Sequence, residues 1–351
     1  MNNPTPLIDC NVHHALKSYQ DLLPYLEEPW KGQVSQFGLR SPIAYSPPGA
    51  HVREDTYKPA GASAASDPEL LGSAFLDAYD MEYAILTGSL YGISVHYDPD
   101  YSAAVAAAAN DHLIEQWLPK NRKYKGAMTI STQDPDQAAA EIERIGGHPD
   151  IVQISVANGM RIPFGQRYYD PIFEAAERQG LPIALHPGTE GGGISGPPMS
   201  SGYFSDYFQF HSAQPNSLMA HMISIIGEGV CEKFPSLKFI IAGAGIAWLP
   251  HLMWRMDRNY KALRATVPQL KQRPSQTIRD HFYVTTQPIA ESDNPDHMRM
   301  LLEMTDAENM LLFASGYPSW DFDDPRQILP GLTGQSRANI FYHNAKRLYN
   351  L

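Results

Sequence analysis

The sequence predicts an α/β chain that folds as a (β/α)8 barrel. Eight short runs rich in β-branched, aromatic and other apolar residues recur along the chain, and segments with apolar residues at helical spacing separate them. Polar or glycine-rich residues follow most of these runs, as do the loops at the carboxyl ends of parallel barrel strands. At 351 residues the chain is long for one domain, but repeated β/α units reach this length around a single core. We therefore expect one domain over residues 1–351.

The predicted strands share a short length and a high content of residues that favour β structure. They are expected at residues 7–10, 81–86, 125–130, 152–156, 182–186, 237–242, 282–286 and 310–315. The predicted helices carry apolar residues at helical spacing and lie at residues 68–79, 101–117, 135–145, 171–178, 215–234 and 336–348.

Two stretches interrupt this alternation. Residues 44–64 are rich in proline, glycine and alanine, which predicts an irregular N-terminal excursion over the core. Residues 191–212 carry glycines, serines and aromatic residues, which predicts a lid-like insertion or a subunit contact at the barrel face. A doubly wound open sheet is the alternative fold. It is disfavoured because the first strand lacks a glycine-rich phosphate turn and GAGIAW at residues 243–248 follows the sixth strand instead.

Composition narrows the class of partner. The net charge of −11 comes without a basic stripe, which argues against nucleic acid or an acidic membrane surface as a partner. The two cysteines, Cys10 and Cys231, are too few for a disulfide framework, and no apolar run reaches the length of a membrane span. These features favour a cytoplasmic protein that binds a small molecule.

Ordered blocks along most of the chain carry a resemblance to a known family. They include DCNVHH at 9–14, HPGTEGGG at 186–193, GEGVCEKFPSLKFIIA at 227–242, WLPHLMWRMDRNY at 248–260 and FASGYPSWDFDDP at 313–325. The chain resembles the amidohydrolase-related family that includes aminocarboxymuconate-semialdehyde decarboxylase, resorcylate-type decarboxylases and lactone hydrolases. The resemblance implies an amidohydrolase-type TIM barrel and a homodimer.

The resemblance also implies a metal site, from which this sequence departs. In that family a divalent metal, often zinc, is held by an acidic residue or His after the first strand, a His two positions on, a His ending the fifth strand and an Asp after the eighth. The corresponding residues here are Asn11, His13, His186 and Gly316.

Three further differences affect the same set of strand ends. Gln209 and Gly243 stand where relatives often have carboxylates, and Ser319 stands in place of a His. Two histidines and an amide make a poor zinc site, so we expect no tightly bound metal. The alternative is zinc or another divalent metal on His13 and His186, with a replacement ligand from His211, Glu190 or Asp321.

Five residues are candidates for catalysis. His13 and His186 follow strands that should point them into the barrel mouth, and either can act as a general acid or base. Asn11 and Ser319 are candidates for stabilising an oxyanion. His211 either lines the pocket or caps its helix.

Five further residues are candidates for substrate binding. Tyr317, Trp320 and Trp248 could form an aromatic wall for a flat substrate, with packing as the alternative. Glu190 is a polar candidate, and Gly316 could leave space for a substrate group.

Three functions follow from these features. The leading hypothesis is an enzyme that hydrolyses a C–O, C–N or C–C bond in a small cyclic or aromatic substrate, with His as general acid or base. The first alternative is a metal-dependent decarboxylase of an aromatic or unsaturated carboxylic acid. The second alternative is a barrel that binds a ligand without catalysis.

Overall fold

Eight parallel strands form the centre of the molecule. The structure is a computed structural model, and it describes residues 6–43, 45, 52–53, 56 and 64–351. The strands pair in chain order and are β1 (Leu7–Val12), β2 (Met81–Leu86), β3 (Tyr124–Thr129), β4 (Ile151–Ala157), β5 (Ile183–His186), β6 (Phe239–Ile241), β7 (Phe282–Thr285) and β8 (Leu311–Leu312). A backbone hydrogen bond of 3.0 Å from Cys10 N to Phe313 O joins the eighth strand region to the first. The predicted (β/α)8 barrel is confirmed.

Helices connect the strands and cover the outside of the barrel. The α-helices are α1 (Trp30–Phe37), α2 (Pro68–Leu71), α3 (Pro99–His112), α4 (Pro135–Ile145), α5 (Asp170–Gln179), α6 (Tyr207–Ala213), α7 (Pro215–Gly227), α8 (Val230–Lys233), α9 (Leu249–Leu263), α10 (Pro274–His281), α11 (Pro295–Thr305), α12 (Ala307–Met310), α13 (Gly334–Ala338) and α14 (Asn344–Tyr349). Short 3-10 turns lie at Tyr19–Tyr25, Ala64–Ser66, Tyr91–Val95, Leu118–Lys120, Arg167–Tyr169 and Arg264–Thr266, and π-helical turns at Gly72–Leu76, Leu113–Trp117 and Asn339–His343. Within the described residues, no helix is both long and apolar enough to cross a bilayer.

The C-terminal helix fills the barrel interior at the amino-terminal ends of the strands. Tyr342, Ala345 and Tyr349 pack in one buried cluster with inward residues of the strands, including Ile8 and Cys10. The Tyr349 hydroxyl donates a hydrogen bond of 2.7 Å to the Gln153 side chain, so its polar atom is satisfied inside the barrel. This plug closes the amino-terminal end of the barrel and leaves the carboxyl ends of the strands as the place for a site.

One predicted helix is two helices. The apolar pattern predicts a single helix over residues 215–234, but α7 ends at Gly227 and α8 begins at Val230. Gly229 has a φ of +76°, a left-handed conformation that a continuing α-helix does not contain. The turn at this glycine lets the chain change direction before β6.

The insertion is attached to the barrel at several points. The Ile194 amide donates to the Val95 carbonyl (2.9 Å) in the segment after β2, and Phe210 stacks on Tyr45 of the N-terminal excursion with ring centroids 4.5 Å apart. The predicted excursion at residues 44–64 lies mostly outside the described residues. Of its described part, Val52 pairs with Ser319 in an isolated antiparallel bridge.

Gly193 fixes the start of the insertion, and its replacement gives a test of this attachment. A Cβ at Gly193, where φ is +50°, would lie 1.7 Å from the Val95 carbonyl oxygen that accepts the Ile194 hydrogen bond. We expect Gly193→Ala to destabilise the fold by about 1–3 kcal/mol through backbone strain and overpacking, measured as a lowered thermal midpoint. Gly196→Ala is the control, since its Cβ would have no described atom within 4 Å. Equal midpoints for the two variants would contradict this attachment.

Candidate active site

The carboxyl ends of β1, β2 and β5 bring two histidines together at the barrel mouth. His13 follows β1 and His186 ends β5, and their ring centroids are 5.1 Å apart with planes at 83°. Tyr91, in the loop after β2, stacks on His186 with centroids 4.5 Å apart and planes 5° from parallel. Both imidazole rings are therefore held in fixed orientations by neighbouring rings.

The hydrogen bonds of His186 determine which nitrogen carries the proton. Its Nδ1 lies 2.8 Å from the Pro187 carbonyl oxygen, which can only accept, so Nδ1 is the protonated nitrogen. Its Nε2 then has a free lone pair, and the Asn11 amide nitrogen lies 3.3 Å away as the donor. The Thr87 hydroxyl donates to Asn11 Oδ1 at 2.8 Å, which orients the amide. We call these three residues the Thr87–Asn11–His186 chain.

His13 has the same tautomer as His186, but its Nε2 has different surroundings. Its Nδ1 lies 3.2 Å from the Gly88 carbonyl oxygen, so this nitrogen carries the proton. The hydroxyls of Tyr91 and Thr87 lie 3.3 and 3.4 Å from the same nitrogen. No hydrogen bond within the described part of the chain involves His13 Nε2. This nitrogen is thus a base that is free to meet a ligand.

Both histidines are neutral at ordinary pH. Burial lowers the pKa of His13, against the opposing effects of the Gly88 carbonyl and the Asp321 carboxylate. Burial, followed by the proximity of His13, lowers the pKa of His186 to about 3. A neutral imidazole with an open Nε2 can accept a proton or a hydrogen bond from a bound molecule.

Asp321 gathers several of the predicted site residues at the rim. Its carboxylate accepts from the Ser319 hydroxyl at 2.6 Å and lies 3.2 Å from His211 Nε2. Burial acts to raise the pKa of Asp321, but the hydrogen bonds from His211 and Ser319 outweigh it, and the pKa is lowered. Trp320 packs on His211 with centroids 5.2 Å apart and donates to the Tyr207 hydroxyl. This cluster ties α6 of the insertion to the segment after β8.

Glu190 is buried, and its carboxylate is hydrogen-bonded to other residues of the protein. Its Oε1 accepts from the Asn158 amide (2.5 Å) and the Ser217 hydroxyl (2.7 Å), and its Oε2 accepts from the Gly188 amide (2.8 Å). The side chain is 5% exposed. These bonds connect the loop after β5 to the residue that follows β4 and to α7, so the predicted roles of Glu190 as a substrate-binding residue or replacement ligand receive no support from its contacts.

Two of the predicted aromatic residues pack against the protein. Tyr317 stacks on Phe75 with centroids 4.0 Å apart and planes at 11°, and is 7% exposed. The Trp248 indole donates to the carbonyls of Ala244 and Gly245. These contacts match the packing alternative, whereas Trp320, which is 49% exposed, can still face a ligand.

Gly316 does not leave an open space. A Cβ at this position would lie 2.5 Å from Cδ of Gln287, whose side chain fills the site, and Gly316 has a φ of +68°. A Cβ at Gly243 would lie 3.2 Å from His186 Nε2. The Gln287 amide lies in the volume beside Gly316, and the role of Gly316 in making room for a substrate group stays a prediction.

Gln209 is an exposed residue of α6. Its side chain is exposed and bonds to Asp206, which caps α6. The interpretation of Gln209 as a ligand lost from the mouth stays a prediction, and its exposed side chain gives it no support. Sequence reasoning also missed Thr87, Tyr91 and Gln287 as individual site residues, although TGSLYG at 87–92 follows one predicted strand and TTQP at 285–288 overlaps the end of another.

The donors at the mouth do not fit a divalent metal. No group of three or more His, Cys, Asp or Glu side chains suited to a metal occurs within the described ranges. The lone pair of His186 Nε2 accepts the Asn11 amide proton, and the Gln287 side chain fills the volume beside Gly316. An amide N–H directed at the imidazole repels a cation there.

A family model described as Amidohydrolase matches residues 8–351. Among curated proteins, gamma-resorcylate decarboxylase from Polaromonas sp. (strain JS666) is 24% identical over 296 residues, covering 79% of this chain and 85% of the relative. The gamma-resorcylate decarboxylase of Rhodococcus jostii (strain RHA1) is 24% identical over 229 residues, covering 60% of this chain and 66% of the relative.

Solved structures share the fold over nearly the whole chain. The 5-carboxyvanillate decarboxylase of Novosphingobium aromaticivorans, complexed with manganese and 4-hydroxy-3-methoxy-5-nitrobenzoic acid, aligns with a TM-score of 0.72 at 20% identity, covering 99% of this chain and 97% of that one. An amidohydrolase from Mycobacterium avium subsp. paratuberculosis aligns with a TM-score of 0.74 at 17% identity, covering 99% and 100%. At these identities the likeness shows the fold.

The tautomer and burial of His186 make the stability of the fold depend on pH, and this dependence can be measured. Its folded pKa of about 3 lies below the ordinary 6.5, so the ring contributes stability above pH 6.5 that is lost as the pH falls from 6.5 towards 3. We expect its ring signals in an NMR titration to stay those of neutral imidazole at pH 5. We also expect His186→Gln to flatten the dependence of the thermal midpoint on pH in this window. A titration midpoint near 6.5 would show that the ring is not buried in this way.

Proposed function

The chain belongs to the amidohydrolase family, and from that premise we propose that it decarboxylates a small aromatic or unsaturated carboxylic acid, with His13 as the group that moves the proton. Family membership confirms the predicted resemblance and the expectation of an enzyme of this superfamily. The observation that carries the proposal is the open Nε2 of a neutral His13, held at the barrel mouth by the Gly88 carbonyl. The curated relatives bear the name of a decarboxylase, which favours this alternative over hydrolysis.

The proton balance of the reaction assigns a role to His13. Loss of carbon dioxide breaks one C–C bond, and the carbon left behind forms one C–H bond, so one proton is consumed in each turnover. Burial keeps His13 neutral in the free protein, but a bound carboxylate beside the ring raises its pKa and favours the imidazolium. His13 then donates the Nε2 proton to the carbon and takes up a new proton from solvent.

The neighbours of His13 position it for this transfer. The Gly88 carbonyl holds Nδ1–H, so that the exchangeable proton is at Nε2. His186 and Tyr91 border the ring, and His186 keeps its own Nε2 engaged with Asn11. Among the predicted substrate-binding residues, Trp320 is the one whose exposed ring supports contact with a flat substrate.

Hydrolysis of a lactone or amide is the second candidate. The neutral Nε2 of His13 favours it, because the same nitrogen can take a proton from a water molecule that attacks a carbonyl carbon. The two candidates differ in their product, since one releases carbon dioxide and the other does not.

Several features of the protein remain proposals. We propose a single barrel domain over residues 1–351, a homodimer and a cytoplasmic location, each as the sequence predicts. The absence of a resident metal also stays a prediction, while the related 5-carboxyvanillate decarboxylase was solved with manganese.

Replacement of His13 tests the proposed function. We expect His13→Gln to lower carbon dioxide release from hydroxybenzoate and unsaturated acid substrates by roughly 10²–10⁴-fold, the range for loss of a positioned acid or base. His251→Gln, on the exposed surface of α9, is the control and should keep full activity. Wild-type turnover of lactones or amides without carbon dioxide release would favour the second candidate. Full activity of His13→Gln would rule out the role of His13 in either reaction.

Removal of metals tests the cofactor prediction. Because the proposed proton transfer involves only side chains of this chain, we expect activity to survive treatment with a chelator followed by gel filtration. Elemental analysis of the treated protein should show well below one manganese or zinc per chain. Activity that disappears on chelation and returns with manganese would contradict the prediction.

A further inference from the structure

We infer that the Asn11 amide excludes a divalent metal from the barrel mouth, and that this one side chain keeps His13 and His186 from acting as a ligand pair. The inference concerns the donor set of the mouth and holds whichever substrate the protein uses. It has three supports in the geometry, which are the direction of the amide, the tautomers of the two rings and the packing at Gly316.

The direction of the Asn11 amide follows from its two neighbours. His186 carries its proton on Nδ1, because that nitrogen faces the Pro187 carbonyl. An amide oxygen facing Nε2 would bring two lone pairs together, whereas the amide nitrogen at 3.3 Å offers a proton. The Thr87 hydroxyl donates to the oxygen at the other end of the amide, so both ends of the amide are paired in this orientation. The amide is also fully buried, so no solvent competes for these bonds.

The Asn11 bond uses the electron pair that a metal would need. An imidazole with Nδ1–H bonded to a carbonyl binds a metal through Nε2, which is how histidine ligands are commonly oriented. In this protein that lone pair accepts the amide proton. The Nδ1 contact of His186 thus orients the ring for metal binding, whereas the hydrogen bond from Asn11 prevents that binding.

His13 also has its Nδ1 bonded to a carbonyl oxygen, and its Nε2 makes no hydrogen bond within the described part of the chain. Its Nδ1 faces the Gly88 carbonyl, and its ring stands 5.1 Å from that of His186. An anionic oxygen in place of the Asn11 amide nitrogen would complete a set of two imidazoles and one carboxylate, which suits a divalent cation.

The packing at Gly316 limits where a further ligand can come from. The Gln287 side chain occupies the volume that a side chain at residue 316 would enter. The single change at Asn11 is therefore the conservative way to create a carboxylate in this donor set. Aspartate is isosteric with asparagine, so it alters the charge and the donor without altering the volume.

The experiment compares metal binding by three proteins, namely the wild type, Asn11→Asp and Asn11→Asp/His186→Gln. Each is stripped with a chelator and titrated with manganese chloride, and free Mn²⁺ is followed by its electron paramagnetic resonance signal. We expect the wild type to leave the free signal undiminished and Asn11→Asp to remove about one equivalent per chain, by the three-ligand argument. The double variant should lose the gained site.

A second measurement uses the wild type alone, so that a folding defect in a variant does not leave the inference untested. With ¹⁵N-labelled histidine, we expect His186 to show the neutral Nδ1–H tautomer and to keep its shifts when zinc chloride is added. Circular dichroism and thermal melting establish whether the variants are folded.

Three results would overturn the inference. One is stoichiometric Mn²⁺ binding by the wild type that His186→Gln abolishes. Another is a folded Asn11→Asp that binds no more Mn²⁺ than the wild type. The third is a shift of the wild-type His186 nitrogens to those of a zinc-bound ring. Loss of carbon dioxide release in His13→Gln reports on the proposed function and changes none of these readouts.

Discussion

The hydrogen bond between the Asn11 amide and His186 Nε2 is the contact around which the barrel mouth is arranged. It couples the end of β1 to the end of β5 across the barrel and fixes the plane of the imidazole. Tyr91 stacks on that plane, and His13 stands perpendicular to it, with its own Nδ1 held by the Gly88 carbonyl. The result is one imidazole whose Nε2 is occupied and one whose Nε2 is open. This asymmetry is the basis on which we propose His13 for proton transfer and His186 for a supporting position.

The barrel makes this arrangement possible because it places the ends of distant strands at one face. Backbone hydrogen bonds from Gly316 N to Asn11 O and from His13 N to Tyr317 O join the segment after β8 to the end of β1. The C-terminal helix fills the opposite end, so the interior is a packed core. Asp321, bonded to Ser319 and His211, adds negative charge near the histidines and connects the insertion to the rim.

The sequence predicts the fold well and the contacts of the site only in part. Buried parallel strands are short apolar runs, so the pattern locates all eight of them, with β2 at its observed bounds. Strand order also predicts that His13 and His186 share one face. Periodicity does not show where a glycine turns the chain, which is why the break at Gly229 is missed, and it cannot tell an exposed Gln209 from an inward one.

Contacts made by loop residues are harder to predict from the sequence, because loop residues follow no periodic pattern that fixes the direction of their side chains. Thr87 and Tyr91 follow β2 and orient the two histidines, yet a threonine and a tyrosine after a strand carry no distinctive pattern. Gln287 fills the volume beside Gly316, and this follows from packing across strands that are adjacent only in space.

The most direct test of the account is the position of the hydrogens at the mouth, which neutron diffraction from a crystal of the metal-free protein would reveal. We expect density for a deuteron on Nδ1 of both His13 and His186, an Asn11 amide deuteron directed at His186 Nε2, and none on His13 Nε2 near neutral pH. A deuteron on His186 Nε2, with the Asn11 oxygen facing it, would contradict the arrangement from which the proposed chemistry is derived.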